Sequence, residues 1–277
     1  MTQNYAQATL DTIDERFYLD SKTDLVINKG IRLDFNGKNS VTIYNVNVVA
    51  ESNYVRAGSN RFGSLVELGD GQETFILSQD KAFTFTVDQG NLEDSMMVTE
   101  ANKAVKRQIR EVSVPTVDKY RLTTLQAYAI ANSQSATAAL TAANAFTKFL
   151  AAQAVLTDAL VPTEGRVVFM PASSYNLLML DQNFVKQCDT AYADMKKGII
   201  GQVAGNTIVV VPTSYLPANT GYLFCYNKCL VYAGKFEMIR VLTDVQGIHG
   251  AVAEGRRYYD AFIPSQTGTG IFTHQIA

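Results

Sequence analysis

The stretch from Glu51 to Gln72, ESNYVRAGSNRFGSLVELGDGQ, limits what this chain can become more than any other. Gly58, Gly63, Gly69 and Gly71 punctuate it, and Arg56, Arg61, Glu67 and Asp70 lie among them, so the segment cannot pack a core by itself. Strand signals stand on both sides. Upstream, Ile31, Leu33 and Phe35 alternate, Asn36-Gly37 is a strong turn pair, and Val41 and Ile43 resume the alternation, which predicts a β-hairpin. Downstream, Phe75 to Leu77, and then Phe83, Phe85 and Val87 with Thr84 and Thr86 between them, predict half-buried strands. Two strand regions thus flank a long excursion.

The first thirty residues carry no sustained period: Tyr5, Leu10, Ile13, Phe17, Tyr18 and Leu19 are too loosely spaced for a helix, and the segment reads as an arm. After the strands comes a long helical segment. Asn91 is placed to cap it, Glu93 and Asp94 sit at the positive end of its dipole, and Val98, Ala101, Val105, Ile109 and Val112 form its apolar face. Pro115 interrupts the pattern, yet Val117, Tyr120, Leu122 and Leu125 continue helical spacing, which predicts a kinked or broken helix running to about Ala131. A small polar linker, Asn132 to Ala138, leads to an alanine-rich helix with Phe149, Ala152, Leu156 and Leu160 on one face. Strands at Arg166 to Met170 and Thr207 to Val211, with a short helix from Ser173 to Leu180, complete a compact α/β unit. The C-terminal part is mostly strand-like, at Leu230 to Tyr232, Met238 to Leu242 and Tyr258 to Ile263.

Composition narrows the classes. A chain of 277 residues that is 47% apolar can bury a substantial core. It has no apolar run long enough to span a bilayer, and its N-terminal stretch is acidic and polar where a signal peptide is basic then apolar, so synthesis in the cytosol with no membrane partner is expected. Cys188, Cys225 and Cys229 show no metal-ligand spacing, and an odd count gives no complete disulfide framework. With 24 basic against 26 acidic residues the net charge is -2, which excludes a polycation and leaves only weak or local contact with nucleic acid. Lys103, Lys106, Arg107 and Arg110 form a basic stripe that a solvated helix face or salt bridges to neighbouring subunits explain. The 14 Tyr and 14 Phe supply large contact areas of the kind interfaces use.

Chemistry is sparse. His249 and His274 are the two histidines, and neither has neighbouring motif residues. Cys225 and Cys229, four apart in a strand-like region, share one face and read as buried packing. GSNRFGSL, from Gly58, has phosphate-loop glycine spacing without the following lysine, and GIIGQVAG, from Gly198, opens no helix and follows no suitable strand. Glu93, Asp94 and Glu100 are explained by the helix dipole. The expectation is no catalytic residue, no cofactor, no metal, and a protein that is not an enzyme.

The order of segments carries more weight than any motif: arm, β excursion, a strand ending LSQDKAFTFTVDQGNLEDS, a long helix with VPTVDKYRLTTL, a compact α/β unit, then a strand-rich return. This order resembles the major capsid proteins of tailed bacteriophages with the Hong Kong 97-type fold. The closest matches in wording are Ser78 to Val87, Val114 to Leu122, and Gly255 to Phe262 (GRRYYDAF) followed by Gly270, Ile271, Phe272 and His274. The resemblance implies an α+β chain with residues 1–30 as N-terminal arm and 31–82 as an extended β-hairpin loop. It implies a peripheral domain from 83–131 and 229–265, with a spine helix from Asn91 to Ala131, and an axial α/β domain from 132–228 and 266–277.

The same resemblance implies a head protein that assembles through pentamers and hexamers into an icosahedral shell around double-stranded DNA, made in the host cytoplasm and located in the virion. Its partners would be copies of itself, scaffolding and portal proteins, packaged DNA weakly, and decoration proteins as further candidates. The long excursion, too poor in apolar surface to stabilise itself, would lie on a neighbouring subunit. Arg56, Arg61, Glu67 and Asp70 are then candidate intersubunit contacts and Pro115 a candidate hinge. No long helical prodomain precedes the arm, which implies a separate scaffolding protein. The lysine, asparagine and glutamate that crosslink some relatives find no residue-by-residue match, Lys38 and Lys81 being guesses, and no crosslink is assigned. An encapsulin-like nanocompartment shell is the first alternative. A small-molecule enzyme built on residues 132–228 lacks convergent polar groups, and a tail or baseplate protein fits poorly with the long helix.

Overall fold

The computed structural model describes residues 21–31, 33–36, 40–46, 48–88, 104–181, 199–242, 245–247 and 249–277. The expected arm up to residue 20, Gly37 and Lys38, the helix start with Asn91, Glu93, Asp94 and Glu100, Lys103 and Cys188 all lie outside the described residues. The chain divides into two compact units, Gly30–Ser78 and the rest.

The smaller unit is an antiparallel meander of β1 (Asp34–Asn36), β2 (Ser40–Val46) and β3 (Asp70–Ile76). Asn36 pairs with Ser40, so β1 and β2 form the expected hairpin, and Ser40 pairs in turn with Ile76. Residues 48–69 form no strand, in keeping with their glycines and charges.

The larger unit runs through β4 (Gln79–Asp88), helix α1 (Val114–Ala131), β5 (Ser135–Thr137), α2 (Ala145–Asp158), β6 (Arg166–Pro171), α3 (Ala172–Leu180), β7 (Ile199–Val203), β8 (Asn206–Val211), β9 (Thr220–Tyr226), β10 (Val231–Leu242), β11 (Gly250–Phe262) and β12 (Ile271–Gln275). Six strands make a mixed sheet in the order β5-β12-β9-β6-β8-β7, and β10-β11-β4 make an antiparallel one. Strand alternation explains why the six-stranded sheet is covered on both faces. Val167, Phe169, Leu223 and Cys225 point into a core shared with Leu122, Leu125 and Ala129 of α1. Val168, Met170, Tyr222 and Phe224 point the other way, onto Phe146, Phe149, Ala152 and Leu156 of α2. Both ends of α2 are held by buried charges. The Asp181 carboxylate accepts the Phe146 N–H at its start, and the Arg166 guanidinium donates to the Val161 and Pro162 carbonyls just past its end.

The long helix is continuous across Pro115, with an irregularity just before it. Residues 104–108 are helical and lead into a π turn, Ile109–Ser113, then α1. Val105 and Ile109 are buried, and the next buried position is Val114, five residues on. A regular α-helix would have turned Val112 or Ser113 inward. The π turn absorbs one extra residue, the Val114 N–H reaching the Ile109 carbonyl, so both flanks keep their apolar faces on one side. Pro115 has no N–H to donate to the Glu111 carbonyl, so the ordinary helical bond is missing at this turn. Val112, expected on the apolar face, is 48% exposed for this reason. Val105, Ile109, Val114 and Val117 pack on Ile239, Ala253 and Tyr259 of the three-stranded sheet.

Several expectations need correction. Asn132 to Ala138 is no mere linker: Ser135–Thr137 form β5, which pairs in parallel with β12 and so closes one edge of the larger sheet. Leu160 lies past the end of α2 at φ +57° and is 90% exposed, off the buried face. GIIGQVAG contains a strand, β7, joined to β8 by Ala204-Gly205, both at positive φ (50° and 81°), a two-residue hairpin turn whose alternation the small residues concealed. The segments at Leu230 to Tyr232 and Met238 to Leu242 are parts of one strand, bulged between Gly234 and Phe236.

Candidate assembly surfaces

The excursion in the smaller unit folds on itself. The Ser52 hydroxyl donates to the Phe62 carbonyl (2.6 Å), the Val55 N–H to the Arg61 carbonyl (2.9 Å), and Arg61 Nε to the Gly58 carbonyl (3.2 Å). Tyr54 and Phe62 meet edge to face with ring centroids 5.0 Å apart. Gly63 stands at φ +88°, and a Cβ there would lie 2.5 Å from the Ser52 hydroxyl, so glycine is required for the closure. The result is a preformed knob. Arg56, Arg61 and Glu67 are exposed on it, and Asp70 opens β3 opposite Val46. Around them Val48, Phe62 and Leu65 are 95%, 83% and 101% exposed. The charged residues singled out in the sequence thus lie along one excursion, and its apolar side chains were the part sequence reading passed over.

A second polar centre lies on α1. Asp118 and Arg121 are 1% and 0% exposed although they sit among Val117, Leu122 and Leu125. The segment Ser21–Ile27 covers them. The hydroxyls of Ser21 and Thr23 each donate to Asp118 Oδ1 at 2.6 Å, and the Lys22 N–H to Oδ2 at 3.1 Å. Arg121 Nη1 donates to the Thr23 hydroxyl (2.9 Å), the Ser21 hydroxyl (3.2 Å) and Asp24 Oδ1 (3.4 Å), and its guanidinium lies 4.3 Å from the Tyr232 ring centroid. Burial pushes the Asp24 carboxyl above its ordinary value, with Arg121 and Lys29 pulling the other way. Val26 completes the seat in the core, and its carbonyl accepts the Leu230 N–H. The legible signal was a charged pair at i and i+3 inside an apolar stripe.

Beside the π turn, Gln108, Val112, Ser113 and Thr116 face Lys81, Phe83, Gly255, Arg257 and Tyr259 across a groove of about 200 Å³. Gly255 leaves room for the Phe83 ring, which occupies the space a Cβ would need. The Arg107 and Glu111 side chains pair at 2.7 Å on the exposed face of the helix, one turn apart within the same chain.

Of the residues considered for chemistry, His249 is exposed. His274 is 1% exposed, stacks on Tyr222 with centroids 4.8 Å apart, and has no hydrogen-bond partner on either ring nitrogen among the described residues. Burial, with the nearby Lys148 charge, holds its pKa below the ordinary value. Cys225 and Cys229 are fully buried, and burial together with the hydrogen bond between the two thiols pushes the Cys225 thiol up. Cys229 reaches that core from a bend after β9, correcting the extended reading of this pair. Among the described residues no cluster of His, Cys, Asp and Glu could hold a metal ion, and no helix is long and apolar enough to cross a membrane.

No protein-family model and no curated protein sequence matches this chain. Solved structures do. A structure from Mycobacterium phage Che8 is similar at 21% identity, TM-score 0.61, over 86% of this chain and 84% of its own. The capsid structure of cyanophage P-SCSP1u is similar at 11% identity, TM-score 0.69, over 92% and 87%. A virus-like particle from Pyrococcus furiosus is similar at 11% identity, TM-score 0.53, over 98% and 97%. Nearly the whole α+β chain is covered in each case, and it has the fold found in phage capsids.

Proposed function

We propose that this chain is the major capsid protein of a tailed bacteriophage, self-assembling through pentamers and hexamers into an icosahedral shell that encloses double-stranded DNA. The observation that carries the reading is the likeness to the cyanophage capsid over 92% of this chain at a TM-score of 0.69. The preformed knob with its bare apolar residues supports it, since a subunit that works alone has no use for such a surface.

On this reading residues 1–30 are the N-terminal arm and 31–82 the extended loop, which lies on a neighbouring subunit and engages it through Arg56, Arg61, Glu67 and Asp70. Residues 83–131 and 229–265 are the peripheral domain with its spine helix, and 132–228 and 266–277 the axial domain. Pro115 and the adjoining π turn are the hinge by which the spine adapts to fivefold and sixfold surroundings. Scaffolding and portal proteins are further partners, decoration proteins are candidates, and packaged DNA brings its own counterions against subunits of net charge -2 each. The subunit is made in the bacterial cytoplasm, is located in the virion and has no catalytic role.

A second reading, an encapsulin-like compartment, is favoured by the likeness to the Pyrococcus furiosus particle. Expression of the chain alone and with its genomic neighbours, followed by negative-stain electron microscopy, tests both. Closed icosahedral particles support a shell protein, and their contents, DNA or an enzyme, separate the two readings. A monomer or small oligomer under every condition refutes both.

A further inference from the structure

We propose that Asp118 and Arg121 form a register lock, fixing the single position at which Ser21–Ile27 seats on α1 and hence where Ser21 is placed on the subunit. Four polar groups of this segment are matched to the pair: the Ser21 and Thr23 hydroxyls, the Lys22 N–H and the Asp24 carboxylate. The two helix residues are only loosely paired with each other, Nη1 to Oδ1 being 3.7 Å, and the two hydroxyls bridge them by accepting from Arg121 and donating to Asp118.

Adhesion comes from elsewhere. Val26 is fully buried in the core, and Asn28 and Val26 exchange backbone hydrogen bonds with Leu230. A device built for stability would use the whole guanidinium, yet Arg121 Nε and Nη2 donate to no protein atom among the described residues. The cost of desolvating a buried pair largely cancels what its bonds return, so the net gain on seating is small. The gain in discrimination is large, because a segment displaced by one residue would bury both charges without their hydroxyls. Asp118 and Arg121 are therefore positioning residues. Only the consequence for shell geometry rests on the capsid reading; the lock itself does not.

The test uses the full chain. Ser21→Ala with Thr23→Val removes the bridging hydroxyls and leaves the helix untouched. Hydrogen exchange followed by mass spectrometry should show the peptide covering residues 21–29 exchanging at least about tenfold faster, with α1 and β9 within about twofold of wild type. Unchanged exchange in 21–29 overturns the lock. A second variant adds Asp118→Leu and Arg121→Met, making the seat wholly apolar. It should melt at or above the wild-type temperature while its particles lose uniform size, a separation that a merely stabilising role does not produce. Particles as uniform as wild type overturn the register role. Should wild-type chains form no particles at all, the capsid reading fails, and the exchange measurement still judges the lock.

Discussion

Acid should loosen the six-stranded sheet through His274, and the effect can be isolated from every other titration in the molecule. The ring is buried against Tyr222 with both nitrogens unpartnered among the described residues, so protonation places a charge in a buried site with no hydrogen-bond acceptor among them. Lys148 on α2 is the charged neighbour, and it repels. Tyr222, cross-strand from His274 on β9, is neutral because burial holds its hydroxyl well above the ordinary phenol value. The folded-state pKa therefore lies below the ordinary 6.5, and at pH values between the two the unfolded chain binds the additional proton. Stability is complete above 6.5, falls as pH drops through that interval, and levels off below the folded value.

The steepest slope from one such group is about 1.4 kcal/mol per pH unit. Urea unfolding of the unassembled chain, followed by tyrosine fluorescence or circular dichroism, gives ΔG at a series of values from roughly pH 5 to 7. His274→Phe keeps a flat ring over Tyr222 and removes the proton site. Its absolute stability will shift through crowding, since a Cβ on Gly221 would already stand 2.9 Å from His274 Nδ1, so the comparison is of slopes. The variant should be flatter than wild type over this interval, and Lys148→Met should retain part of the slope. Identical slopes in wild type and His274→Phe would refute the reasoning.

Leu125→Ala empties a fully buried site between α1 and the sheet and should cost about 2–5 kcal/mol in the same urea measurement. Deleting Val112 should convert the π turn to a regular α-helix at no more than about 1 kcal/mol, because both flanks keep their faces. Deleting Thr123 instead swings Leu125 and Ala129 by about 100° out of the core and should cost more than about 3 kcal/mol. Circular dichroism with urea melts of the two deletions distinguishes them. Phe62→Ser with Leu65→Ser should change subunit stability by less than about 0.5 kcal/mol and abolish particles in electron micrographs.

How much was legible follows from where the physics is local. The hairpin β1–β2, the paired strands around the excursion, and the helix ending at Ala131 came from alternation and 3.6-residue spacing, which residues such as Val41, Ile43, Leu122 and Leu125 display. The edge strand β5 was hidden because Ser135, Ala136 and Thr137 have no apolar pattern, and only their pairing with Thr273, His274 and Gln275 makes them a strand. The five-residue step from Ile109 to Val114 was hidden because Val112 continues the apolar spacing in the sequence, and the interruption was assigned to Pro115 alone. The charges of the excursion were singled out by type, whereas the seat at Asp118 and Arg121 joins residues nearly one hundred positions apart and has no local signature beyond two charges on an apolar stripe.

The two core thiols make a built-in clock. Cys225 and Cys229 sit where the sheet, α1 and the residue before β10 converge, both fully buried. A small alkylating reagent can reach them only when that junction opens, so the rate at which peptides bearing these two cysteines become labelled measures how often the centre of the subunit breathes. Because the reagent diffuses where proteases cannot, the same clock can be read inside an intact particle and compared with the free chain.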